Sequence, residues 1–468
     1  MLKPLAAFLI ALTIDAHAQL SADTQSKVDA AAQKILIETG VPSASIGIVQ
    51  NGKIAYTHAY GLAHINPDVP ATSAMAYPIG SISKQFTATA ILILQQDGKL
   101  QLDDPVSKFF PELTRARDIT LRNLLTMTSG YEDYAPQDYI IPSWLTQEKP
   151  INIIHAWAEK PLDFEPGTKW QYSNTNFVLA ALIVEKVSGQ PLSDFLKARV
   201  FAPAGLEGVL NTYTQRDKLG VTGYVSYALA KPREQALEAP GWYYGDGDLA
   251  MSAATLLKWD LTLINESLLS PASYTAMKTS FKLKDGTDTN YGLGVFTRTR
   301  DGRREIEHGG EVGGFVAENI LYPDDKAAIV VLTNEVASSA ASSIAAAIKP
   351  LLFAPADTPA DAFAPVLRAI LTSFQSGKID RTLFTADCNA YFDTAALADF
   401  QSTLAPLGTV TAVARTRTSL RGGMTFGLYR ATFSGGSSVI VNTYLLPDGK
   451  VEQLLIVEKV DKKISTSL

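Results

Sequence analysis

Two spacings of apolar residues alternate along this chain, and their order predicts its architecture. Residues 22–40 carry Val28, Ile35 and Leu36 at helical spacing and stop at Gly40 and Pro42. Short β-prone runs at 45–49 and 53–60 flank Asn51-Gly52, the strongest local signal for a hairpin. From 81 to 96 the period turns helical, through Phe86, Ala90, Ile91 and Leu94, and Gly98 ends it. A polar, proline-containing middle follows, with helices expected at 120–127, 150–160, 174–188 and 253–263. Strands are expected at 291–297, 315–321 and 328–333, the last two joined by Pro323-Asp324-Asp325, and then a helix at 338–352.

Strands first, helices in the middle and strands again predict an α+β fold. The simplest packing is an antiparallel sheet drawn from both ends of the domain, flanked by helices and a helical subdomain, with a cleft between them. The stretch 353–364, rich in Pro, Ala and Asp, has no period and reads as a linker. Beyond it, a helix at 366–374 and strands at 408–416, 425–433, 437–444 and 450–458 predict a small α+β domain over 365–468, whose role the pattern does not assign.

The first 18 residues differ from the rest. Lys3 precedes an apolar run at 5–14, and Ala16-His17-Ala18 has the small-x-small form of a cleavage site. The run is too short to span a bilayer. These residues therefore read as a signal peptide, with 19–352 as the main domain of an exported, periplasmic or secreted protein that has no membrane span once mature. A net charge of −6 and the lack of a Lys/Arg stripe give no reason to expect nucleic acid. Cys388 is the single cysteine, so no internal disulfide forms. No Cys/His spacing suits zinc, and no metal or cofactor is assigned.

Three clusters carry candidate chemistry. Gly80-Ser81-Ile82-Ser83-Lys84 opens the strongest helical pattern, and the spacing puts Ser81 and Lys84 on one face. Backbone N–H groups at a helix start stabilise an oxyanion. A neutral Lys84 would take the Ser81 proton, and a charged one would hold the local potential positive. Tyr172-Ser173-Asn174 precedes the 174–188 helix. In an extended stretch Tyr172 and Asn174 face one way, as a base and an amide that can orient a substrate amide. Glu307-His308-Gly309-Gly310-Glu311 precedes a strand. Gly309 and Gly310 leave backbone open to a ligand, and His308 can support a tyrosine–lysine relay. The amide of Glu311 would be a second oxyanion donor beside that of Ser81, while its carboxylate would disfavour acidic substrates. Each cluster alone is also compatible with an ordinary helix start or glycine-rich turn.

Taken together and in order, Ser81-Ile82-Ser83-Lys84, Tyr172-Ser173-Asn174 and His308-Gly309-Gly310 resemble the serine β-lactamase and penicillin-binding protein superfamily. The closest likeness is to its class C-related branch, with D-alanyl-D-alanine carboxypeptidases, D-aminopeptidases and family VIII esterases. Leu124-Leu125-Thr126-Met127-Thr128-Ser129-Gly130 and Gly245-Asp246-Gly247-Asp248-Leu249 fit the same branch. The resemblance covers roughly residues 25–350 and implies a β-lactamase/transpeptidase-like fold. It implies Ser81 as nucleophile, Lys84 as its activator and Tyr172 as base and proton shuttle. It further implies Asn174, Gly309 and Gly310 as substrate-binding, His308 as the group polarising Tyr172, and the Ser81 and Glu311 amides as the oxyanion hole. The expected activity is that of a serine hydrolase on a small-molecule or peptide amide or ester. The expected type is a carboxylesterase or a peptidase of the D-amino-acid or peptidoglycan kind; β-lactamase activity and a silent binding protein are the alternatives. His308 stands where lysine is commoner, which weakens recognition of a substrate carboxylate.

Overall fold

The computed structural model describes residues 19–228, 230–353 and 361–460. The expected signal peptide and most of the expected linker lie outside them. Contacts divide the chain into two units, meeting between Ala356 and Asp357.

The first unit is built on an antiparallel sheet, seven-stranded among the described residues. Its strands are β1 (Ser43–Gln50), β2 (Lys53–Ile65), β3 (Asp68–Pro70), β4 (Phe296–Arg300), β5 (Arg303–Val312), β6 (Phe315–Tyr322) and β7 (Ala327–Thr333). They lie in the order β3-β2-β1-β7-β6-β5-β4, so both ends of the unit meet where β1 pairs with β7. Asn51 and Gly52 form the two-residue turn between β1 and β2, both at positive φ (53° and 73°). That is the geometry that matches the right-handed strand twist.

The central strands are buried on both faces and sort their side chains by the two-residue period. Ala44, Ile46 and Ile48 of β1 and Ile329 and Val331 of β7 face one core with helices α1 (Ala22–Thr39) and α5 (Ala340–Leu352). Ala328, Val330 and Leu332 face the opposite, larger core. There Gly47 leaves room for Leu257 of α4 (Ala253–Ile264), whose Cδ1 would lie 2.8 Å from any added Cβ.

Helix α2 (Lys84–Gln96) crosses this larger core, and every residue from Lys84 to Leu94 is buried. A helix buried on every side must have its polar members paired, and Lys84, Gln85, Thr87 and Thr89 are among those buried here. Its one buried glutamine is satisfied: Gln85 accepts from Trp259 Nε1 at 2.8 Å and donates to Asn319 Oδ1 at 3.2 Å. Asn319 in turn donates to both oxygens of Asp260, at 2.8 and 2.9 Å. This network joins α2 to α4 and β6, fixing the helix whose start carries Ser81. Helix α3 (Thr175–Ser188) packs beside α2 and ends at Gly189 in the left-handed conformation (φ 75°).

One difference from the sequence reading bears on the site. The segment expected to precede a strand is itself the end of β5, and the strand expected at 291–297 starts only at Phe296. Charged side chains hid β5. Glu305 and Glu307 are buried, and their ion pairs with Arg298, Arg300 and Lys349 compensate for the polar pattern.

In the second unit the strands Val410–Arg421, Met424–Phe433, Ser438–Leu445 and Val451–Val460 pair antiparallel in chain order. Helices Phe363–Phe374, Ala386–Tyr391 and Thr394–Leu404 accompany them, the last two not foreseen from sequence. Their core holds Leu367, Phe374, Tyr429 and the single cysteine, Cys388. The two units thus give the expected α+β architecture, a helix-flanked antiparallel sheet and a small α+β region after it.

Candidate active site

Ser81 lies in a short 3-10 turn, Gly80–Ser83, that runs directly into α2. The turn sits against β5 at a contact only glycines permit. A Cβ on Gly80, where φ is +50°, would lie 2.6 Å from the Glu311 amide nitrogen. A Cβ on Gly310 would lie 1.9 Å from the Ile79 carbonyl oxygen and 3.1 Å from the Ser81 amide nitrogen. The two glycines therefore bring the amides of Ser81 and Glu311 to one place.

Lys84 is wholly buried, and its ammonium group has three acceptors. Nζ donates to Ser81 Oγ at 2.9 Å, to Asn174 Oδ1 at 2.7 Å and to the Asp246 carbonyl oxygen at 3.0 Å. Three donors and three acceptors match in number. Nζ also stands 5.0 Å from the centre of the Tyr172 ring. Burial raises the Tyr172 hydroxyl above its usual value, while the Lys84 charge and hydrogen bonding with Lys84 and Ser81 pull it back.

Asn174 is the residue immediately before α3. Its amide nitrogen donates to the Ala135 carbonyl oxygen at 3.3 Å and to Asp133 Oδ2 at 3.4 Å, while its main-chain N–H donates to Asp133 Oδ1 at 2.9 Å. So Asn174 holds Lys84 from one end and is held by Asp133 from the other.

His308 takes a different place from the expected one. Its Nδ1 is 2.6 Å from the Gly309 carbonyl oxygen, which requires the proton on Nδ1. Nε2 then accepts from the Tyr291 hydroxyl at 3.1 Å rather than meeting Tyr172. Tyr172 is a ring neighbour, at 6.1 Å between centroids. Burial among Tyr291, Phe296 and Tyr172, with Lys84 adding positive charge, pushes His308 down to about 3. The imidazole is neutral, and its contact with Tyr172 is by packing.

A cavity of about 1000 Å³ opens over Ser81, Tyr172, Asn174 and Glu311. Lys84 and His308 stand behind its wall. Gly309 and Gly310, expected to touch substrate, are not among its lining residues. Gly310 acts through the Ser81 turn. A Cβ on Gly309 would meet nothing closer than 3.6 Å, so packing of the chain does not demand glycine there.

Four further residues had no role assigned from sequence. Asp133 holds Asn174, as above. Asp246 is fully buried and pushed up to about 8 by desolvation, with its Oδ2 accepting from Tyr134 at 3.2 Å. Glu238 lines the cavity and is pushed up to about 7 by burial. Tyr291 occupies His308. No spacing gives any of the four a role, because each comes from a loop whose place only the folded chain sets. Among the described residues no group of His, Cys, Asp and Glu could hold a metal ion. No helix there is long and apolar enough to cross a membrane.

Known proteins share this chain's family and fold. The family model described as "Beta-lactamase" matches residues 28–351. Penicillin-binding protein 4* of Bacillus subtilis is 29% identical over 315 residues, covering 61% of this chain and 66% of that protein's own length. D-amino acid amidase from Ochrobactrum anthropi SV3 shares the fold with a TM-score of 0.63 at 22% identity, over 71% of this chain and 98% of that one. The octameric penicillin-binding protein homologue from Pyrococcus abyssi does so with a TM-score of 0.61 at 22% identity, over 93% of this chain and 99% of that one. With the matched span covering well over half its length, the chain belongs to the β-lactamase family, in the class C-related branch of the superfamily of β-lactamases and penicillin-binding proteins.

Proposed function

We propose that this chain is an exported serine hydrolase that cleaves amide or ester bonds through an acyl-enzyme on Ser81. The observation that carries the reading is the Lys84 ammonium bonded at once to Ser81 Oγ, Asn174 and the Asp246 carbonyl, just behind the wall of a cavity large enough for a substrate, which Ser81 and Asn174 line. A lysine serving only as surface charge would not be buried with all its donors spent. Export rests on the pattern of residues 1–18.

Ser81 Oγ attacks the substrate carbonyl carbon, forming the C–O bond. Its proton passes to Tyr172, whose phenolate form the Lys84 charge favours. The negative oxygen accepts from the amides of Ser81 and Glu311. As the C–N or C–O bond to the leaving group breaks, Tyr172 returns the proton to that group. Water then attacks the acyl carbon and gives its proton to Tyr172; the bond to Ser81 Oγ breaks, Tyr172 returns the proton to Oγ, and the acid leaves.

A carboxylesterase or a peptidase of the D-amino-acid type fits better than a β-lactamase. Neutral His308 offers no charge to a substrate carboxylate, and Glu311 brings its own carboxyl to the cavity wall. Hydrolysis of p-nitrophenyl butyrate and of D-amino-acyl p-nitroanilides by the native chain, lost in Ser81→Ala, is the expected result. Turnover of either substrate at the native rate in Ser81→Ala would refute it.

A further inference from the structure

The charge of the substrate is written on the cavity wall. Four carboxyl groups line it, those of Asp133, Asp138, Glu238 and Glu311, and no lysine or arginine does so among the described lining residues. Few cations act on the four from elsewhere: Lys84 on Asp133, Arg216 on Glu238, and none on Glu311, which instead feels Asp138. Asp133 and Glu311 are already engaged, by the Asn174 main chain and by the Ala337 N–H at 2.9 Å.

Glu238 is the distinctive one. Its residue is 5% exposed, yet it lines the cavity. Its Oε1 accepts from the Gly313 N–H at 2.9 Å, and Arg216 donates to its main-chain carbonyl rather than to its carboxyl. Arg216 acts on that carboxyl only from a distance, and burying a carboxyl this deeply with no cation bonded to it is costly unless something supplies the charge. Around the mouth the wall turns apolar, with Tyr139 (70% exposed) and Tyr227 (67% exposed) beside Ile140 and Leu145.

The distances agree with one chemical group. Glu311, whose amide would hold the acyl oxygen, and Gly313, whose amide holds Glu238, are two residues apart, roughly 6–7 Å in extended chain. An ammonium on the carbon next to an acyl carbonyl lies about 3 Å from that oxygen, and a charge-assisted hydrogen bond adds about 3 Å.

We infer that the cleft selects an acyl group bearing a free α-ammonium and an apolar side chain, with Glu238 as the carboxyl that receives the ammonium. This deepens the serine-hydrolase reading and rests on it. The substrate class is then an α-amino-acid amide or ester, or a peptide cut after its free N-terminal residue. Substrates with a carboxylate in that position are excluded by charge.

Binding to the Ser81→Ala protein tests this without turnover. The probes are leucinamide of each configuration, 4-methylpentanamide, which lacks only the amine, and N-succinyl-leucinamide, which puts a carboxylate there. By calorimetry, one enantiomer of leucinamide should bind at least about tenfold tighter than 4-methylpentanamide, the worth of one partly buried ion pair. The succinyl compound should bind weakest. Adding Glu238→Gln should cut the leucinamide advantage to within about threefold, and Asp138→Asn, at an exposed position, should cut it less. Equal or tighter binding of 4-methylpentanamide or the succinyl compound, or no binding of leucinamide, would overturn the inference. So would an unchanged advantage in the Glu238 variant. If that variant does not fold, the order of the three probes still decides. Failure of the hydrolase reading itself is seen separately, as absence of a fluorophosphonate adduct on native Ser81.

Discussion

At the scale of residues, the site depends on proton inventory. Lys84 has its three donors matched, so the group that must be free of a proton for attack is Tyr172. Its hydroxyl is raised by burial, so the phenolate is the minor form at neutral pH and grows as pH rises. The ester kcat/KM of the native enzyme should therefore climb with pH on the alkaline side. Tyr172→Phe should lose about 10²–10⁴-fold in kcat and lose that climb. A pH–rate profile of both proteins checks it; an unchanged climb in Tyr172→Phe would assign it elsewhere. Ser81, Lys84, Tyr172 and Asn174 were legible because each sits at or near a helix start, where spacing alone sets direction. The partner of His308 was not legible. Which hydroxyl its Nε2 meets depends on how Tyr291 is placed by the turn before β4, and no local pattern encodes that.

At the scale of elements, the oxyanion donors exist because the Ser81 turn and β5 touch through two glycines. Gly310→Ala would drive a methyl to 1.9 Å from the Ile79 carbonyl oxygen, so either the turn or the strand must move. The expected outcome is a loss of about 1–3 kcal/mol in stability and a larger proportional loss in kcat. Gly309→Ala, with 3.6 Å of clearance from the chain, should leave stability nearly native. Denaturant melts of the pair check this, and equal stabilities would contradict the packing argument. The helices and hairpin were readable because their periods follow their burial, as in α2 and at Asn51-Gly52. Strand β5 was not. Its buried glutamates break the alternation, and the arginines and lysine that pair with them come from β4 and α5.

At the scale of the whole molecule, buried carboxyls set the response to pH. Burial raises Asp246 to about 8, and Asp248, Glu238 and Glu318 to about 7. Unfolded, all four ionise near 4. Between those values the unfolded chain binds fewer protons than the folded one, so stability falls as pH rises, by up to about 1.4 kcal/mol per pH unit for each group. His308, held at about 3, opposes this only below its ordinary 6.5, where the unfolded chain takes the extra proton. The carboxyls outnumber it, so the melting temperature should decline from pH 5 to pH 8, and the decline should soften in Asp246→Asn. A flat or rising profile by scanning calorimetry would contradict the placement of these groups. Cys388 lies in the second unit, buried and pushed up to about 11 by burial. Its thiol is therefore unreactive, and iodoacetamide should leave turnover of the folded enzyme unchanged. The α+β order of both units was readable because runs of strand and helix period alternate plainly. Of the acidic lining of the cleft only Glu311 was, since Asp133 and Glu238 are far from it in sequence and only the folded first unit brings them together.

The measurement closest to the central claim is the intact mass of the protein after exposure to a fluorophosphonate and, separately, to a penicillin, with Ser81→Ala as control. A single fluorophosphonate adduct is expected on the native chain, none on Ser81→Ala, and little or no penicillin adduct, because the neutral His308 and the acidic wall do not favour its carboxylate. A fluorophosphonate adduct that persists in Ser81→Ala, or none on the folded native chain, would contradict the assignment of Ser81 as the acylated nucleophile.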